Sequence, residues 1–68
     1  MSFKVKLIIS NKAVFKRVEK GATVGSVAAE TGLNRETFIA LLNGGVVHSR
    51  ERLKSGDELE LVRIIYGG

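Results

Sequence analysis

Gly56-Asp57-Glu58-Leu59-Glu60-Leu61-Val62-Arg63-Ile64-Ile65-Tyr66-Gly67-Gly68 closes a chain of 68 residues. Glu58 to Leu61 alternates charge with leucine, the period of two that marks a half-buried strand, and the apolar character continues through Val62, Ile64 and Ile65 around Arg63. The stretch therefore reads as a long last strand, entered from the turn cluster Lys54-Ser55-Gly56-Asp57. Alternation assigns Leu59, Leu61 and Ile65 to one face and Glu60, Val62 and Ile64 to the other. Two glycines after such a strand can neither pack a core nor hold a regular conformation. Residues 1–65 are thus expected to form one folded domain, and Tyr66 to Gly68 a flexible arm ending in a carboxylate.

Upstream of that strand the same reasoning places the other elements. Phe3, Val5, Leu7 and Ile9 alternate with Lys4, Lys6 and Ile8, Ser10-Asn11-Lys12 is a turn cluster, and Ala13 to Val18 has strand composition, so the first twenty residues predict a hairpin. Gly21 closes it. Thr23 can cap a short helix whose apolar positions Val24, Val27 and Ala28 recur at three and four, with Gly32 as the stop. Thr37 to Leu42 is again strand-like, and Asn43-Gly44-Gly45 turns the chain back through Val46 and Val47. The order is β-β-α-β-β-β, an α+β arrangement in which one helix covers one sheet face. If Ala40 and Leu42 face that helix, Ile39 and Leu41 join Val62 and Ile64 in an apolar patch on the opposite face.

Composition removes most small-domain chemistry. No cysteine is present, which excludes a disulfide framework, a zinc finger, an iron–sulfur site and a thiol nucleophile, and the single His48 excludes a histidine metal cluster. A chain this short buries only about 60% of its unfolded surface, so its large apolar residues are needed for the core and an enclosed active site has little room. Phe38 to Leu42, the longest apolar run, is far shorter than the roughly 20 residues of a membrane span, and the N-terminus lacks a signal-peptide pattern. A cytoplasmic protein without a membrane partner is the expectation.

The net charge of +4 is unevenly spread. Residues 1–20 hold six basic and one acidic side chain, and residues 21–68 five basic and six acidic, so the positive field belongs to the first hairpin. Only Phe3 and Phe15 are interleaved with Lys4, Lys6, Lys12, Lys16, Arg17 and Lys20, and a solvated face is the expectation there. His48 has no second ligand or nucleophile near it in sequence and takes no role. Arg50, Glu51 and Arg52 read as a solvated loop.

The strand and helix order, Gly56-Asp57 leading into Leu59-x-Leu61-Val62, and the closing Gly67-Gly68 together resemble the ubiquitin-like β-grasp proteins, and more narrowly the prokaryotic ThiS/MoaD group with its archaeal small modifiers. The resemblance implies a mixed sheet of four to five strands with one helix packed across one face. It also implies a protein sulfur carrier whose Gly68 is adenylated by an E1-like enzyme and converted to a thiocarboxylate for thiamine thiazole, molybdopterin or tRNA thiolation, or joined to lysines. Gly68 would be the reacting residue, with Gly67, Tyr66, Ile39, Leu41, Val62 and Ile64 meeting the partner. ATP and magnesium would be held by the partner enzyme, because this chain has no Gly-rich phosphate loop. The chain would then be a co-substrate rather than an enzyme, with a sulfur-accepting synthase or target lysines as further partners. Tyr66 and Arg63 depart from the family pattern and bear on which partner is met. A second reading, an RNA-binding or regulatory β-grasp module built on the basic first hairpin, leaves the diglycine unexplained; nucleic acid is accordingly not among the partners expected.

Overall fold

A computed structural model describes residues 1–32 and 38–64. Two hairpins and a lone strand build one sheet: β1 (Ser2–Ile9), β2 (Lys12–Glu19), β3 (Phe38–Leu42), β4 (Gly45–Val47) and β5 (Glu58–Arg63), ordered β2-β1-β5-β3-β4. Both hairpins close on two residues with positive φ, Ser10 (52°) and Asn11 (65°) in the first, Asn43 (52°) and Gly44 (87°) in the second. That backbone twist matches the twist of the flanking strands. β5 lies between the hairpins, parallel to β1 and antiparallel to β3, with Leu7 opposite Leu59 and Ala40 opposite Leu61. The sheet is therefore mixed and five-stranded.

The helix α1 (Val24–Glu30) is only seven residues long, too short to be stable alone, so its ends must be fixed from outside. Thr23 and Ser26 form a reciprocal capping box, Thr23 Oγ1 accepting from the Ser26 amide and Ser26 Oγ from the Thr23 amide. The Val24 and Gly25 amides, which no residue within the helix can satisfy, donate to the carbonyls of Glu51 (2.9 Å) and Ser49 (2.8 Å). Gly25 is needed for that approach: a Cβ there would lie 3.1 Å from the Ser49 carbonyl oxygen. The loop after β4 is thus sewn to the start of the helix, and Leu53, held by its amide on the Ala22 carbonyl, is buried under it.

The core lies between α1 and one face of the sheet: Val24, Val27 and Ala28 from the helix against Val5, Leu7, Val18, Ala40, Leu59 and Leu61. Lys16, on this same face of β2, reaches over the helix end to Glu30 at 2.8 Å. A second tie crosses the far end of the sheet. Asp57 accepts from Asn43 Nδ2 (3.0 Å) and from the Lys54 amide (2.7 Å), while Asn43 Oδ1 accepts from the Glu58 amide (2.9 Å). This couples the β3–β4 turn to the start of β5. Asp57→Ala removes both acceptors and is expected to cost about 2 kcal/mol. Urea unfolding should show a lower midpoint at unchanged slope, and a shift worth only a few tenths of a kcal/mol would show that water replaces the tie.

The last strand is shorter than its composition predicts. Ile9, the last residue of β1, stands opposite Leu61, and Phe38, the first residue of β3, stands opposite Arg63. Among the described residues, β5 has its last ladder partner at Leu61 on the β1 side and at Arg63 on the β3 side. Ile64 follows the strand rather than extending it, and Thr37, Ile65 and the arm Tyr66–Gly68 lie outside the described residues.

Candidate functional site

Because side chains alternate along each strand, the face of the sheet away from α1 is fixed by the core: with Leu59 and Leu61 inside, Glu58, Glu60 and Val62 point out. Ile39 stands opposite Val62, and both are large apolar residues left exposed, at 40% and 38%. Leu41 is half-buried on the same face, flanked by Glu60 and by Val46, which is 74% exposed. Across β5, Ile8 stands opposite Glu60 and is also half-buried. Ile39, Leu41, Val62, Val46 and Ile8 therefore form an apolar surface crossed by one carboxylate. Contiguous apolar surface of this kind on a small protein marks an interaction site.

Sequence reasoning placed Ile39, Leu41 and Val62 on this face, and the structure brings them together there. Ile64 needs correction as a strand residue turned to solvent: it lies beyond the end of β5 and is half-buried. Val46 and Ile8 were missed. The signal for Ile8 was present, since it is the apolar member of the otherwise basic row Lys4, Lys6, Ile8; for Val46 it was the alternation against Val47, which packs on the core.

β5 delivers the chain to the edge of this surface. A shallow depression of about 280 Å³ lies beside its end, lined by Ser10, Asn11 and the segment Glu60 to Arg63. Four residues follow Ile64, with a fully extended reach of at most about 14 Å, and the expected functional residues Tyr66, Gly67 and Gly68 are among these four, outside the described residues. Among the described residues no group of three His, Asp or Glu side chains could hold a metal, and no polar or charged side chain is buried. His48 is exposed, and its Nδ1 accepts the Arg50 amide at 3.1 Å, a local turn contact. No helix among the described residues is long and apolar enough to cross a membrane.

The ThiS family model matches residues 9–68, from the last residue of β1 through the helix and the other four strands to the terminal diglycine. The chain belongs to the ThiS family. Among solved structures, molybdopterin converting factor subunit 1 from Pyrococcus furiosus is similar at a TM-score of 0.75 and 19% identity, over 93% of this chain and 99% of that one. Caldiarchaeum subterraneum ubiquitin gives 0.73 and 19% over the full length of both chains. SAMP1 from Haloferax volcanii gives 0.64 and 26%, again over the full length of both. The architecture of this ThiS family member is the ubiquitin-like β-grasp, α+β, as its sequence implied, and family and fold together are those of small carriers and modifiers in general.

Proposed function

We propose that the protein is a sulfur carrier whose C-terminal Gly68 is adenylated by an E1-like enzyme and then converted to a thiocarboxylate. The observation that carries this reading is the ThiS family match extending through Gly67-Gly68. Family members of this type work with E1-like activating enzymes and synthases, and are themselves co-substrates. A carboxylate is a poor electrophile. Attack of a Gly68 carboxylate oxygen on the α-phosphorus of ATP forms the acyl adenylate and expels pyrophosphate. Hydrosulfide then attacks the acyl carbon and expels AMP, leaving the thiocarboxylate; a lysine amine attacking the same carbon would leave an amide, the modifier outcome. ATP and magnesium belong to the partner. The apolar surface around Ile39, Leu41 and Val62, at the edge of which β5 ends, is the docking surface in this reading, with Tyr66 and Gly67 entering the partner's channel.

The test is a reaction of the full chain with its cognate E1-like enzyme, ATP, magnesium and sulfide. Pyrophosphate release followed by the mass gained on exchanging one oxygen for sulfur is expected, and deletion of Gly68 should abolish both. If the deleted chain reacts like the intact one, the diglycine is incidental and the carrier reading fails.

A further inference from the structure

The first hairpin carries its own unexplained surface. Register and burial sort its two aromatic residues: Phe3 turns inward and packs against the core, whereas Phe15, opposite Lys6, turns outward and is 75% exposed. An exposed ring of this size contributes nothing to the core. Directly beside it Lys4 stands opposite Arg17 on the same outward face, and neither has an ion-pair partner among the described residues. Two like charges directly opposite each other on a sheet, with Cβ atoms about 5 Å apart, destabilise the pairing. Lys6 completes the cluster; its contact with Glu58 is loose, at 3.9 Å between exposed groups. The face is not wholly basic, since Glu19 stands opposite Ser2 at its end.

We propose that this outer face of the β1–β2 hairpin binds single-stranded RNA. A phosphate placed between Lys4 and Arg17 relieves their repulsion, and the flat face of Phe15 offers a stacking platform to the adjoining base. An acidic peptide would satisfy the cations and leave the ring without purpose, which is why a nucleic acid strand is the better occupant. At the end of the same face the Ser2 hydroxyl and the Glu19 carboxylate can accept from a 2′-hydroxyl, which a deoxy strand lacks. The proposal is independent of the carrier reading, because none of its residues is in the arm.

The experiment is fluorescence anisotropy of a labelled oligouridylate of roughly a dozen nucleotides with the full chain. Three neutralising cations predict a log–log salt slope of about −2, so affinity should fall roughly twentyfold between about 50 and 200 mM salt. Phe15→Leu, which keeps an apolar side chain but removes the ring face, should weaken binding about fivefold to a hundredfold. Lys4→Glu should abolish binding while raising the melting temperature, because it turns the like-charged pair with Arg17 into an opposite-charged one; a merely structural role for Lys4 would not separate the two readouts this way. Deletion of Gly68 should leave binding unchanged. Absence of binding at low salt, or affinity indifferent to Phe15→Leu, would overturn the proposal. Equal affinity for oligodeoxythymidylate would overturn the assignment to RNA, and equally tight binding of poly-glutamate would assign the face to an acidic protein instead.

Discussion

Gly67→Val is expected to leave the fold intact and to slow thiolation of Gly68 about a hundredfold. Residue 67 is four positions past Arg63, which forms the last ladder pair among the described residues with Phe38. The expected effect is on the reaction alone. To be adenylated, the carboxylate must be threaded into a covered site where water is excluded and an oxygen can approach the α-phosphorus in line. Glycine has no Cβ to strike the channel wall and reaches backbone conformations closed to other residues. Valine adds a branched side chain beside the reacting residue and stiffens the backbone there. A displacement of about 1 Å at the reacting atom is enough for a hundredfold loss. Single-turnover mass spectrometry measures the rate, and because valine retains the carboxylate, the variant separates channel fit from loss of charge. A rate within a factor of about two of the parent would mean that the channel is wide and that glycine is not required for steric reasons.

Val62→Asp is expected to weaken the complex with the activating enzyme by about 2–4 kcal/mol while the free protein stays folded. Val62 sits at the end of the apolar surface from which the arm departs, opposite Ile39 and two residues from Glu60, with 38% of its surface open. In the free chain the new carboxylate remains solvated, and the cost is confined to lower strand propensity and one more negative charge near Glu60. In the complex it would be desolvated against an apolar seat with nothing to pair it. Calorimetric titration against the enzyme, with circular dichroism of the free variant, reads both effects. A melted variant would place Val62 in the core, and unchanged affinity would move the docking surface elsewhere.

The strands were legible because their alternation is a local property: Leu59 and Leu61 could be assigned to the core without knowing their neighbours. So was the start of the helix, since Thr23 precedes a three-and-four apolar spacing that only a helix gathers on one side. The central place of β5 was not legible from the pattern, because two hairpins and a strand can be assembled in several orders, and resemblance alone supplied the mixed sheet. The end of β5 was misread at Ile64 for a related reason: Ile64 looks like strand, but a strand stops where its neighbours stop, and among the described residues Ile9 and Phe38 are the last partners on the two sides. Leu53 was invisible because its burial depends on a loop held by backbone bonds to Ala22, Val24 and Gly25, which carry no side-chain signature. Of the proposed site, the alternation gave Ile39, Leu41 and Val62, while Ile8 and Val46 needed the register that sets them beside those residues.

Having β5 in the middle of the sheet also governs when the molecule can fold. It is the last of the five strands to leave the ribosome, yet it supplies both β1 and β3 with a neighbour. Until it emerges, the two hairpins have no common sheet, and Leu7 and Ala40 face no core. The parallel ladder from Lys6–Glu58 to Ile9–Leu61 closes a loop of about fifty residues, the kind of distant pairing that sets a slow rate. A nascent chain that stalls or is cut before Glu58 lacks the strand that joins the two hairpins and cannot complete the sheet. Proteases that remove unfolded chains then act as a filter. Chains truncated before β5 are thus expected to be cleared, and in the proposed reading an activating enzyme that recognises the assembled sheet does not encounter them.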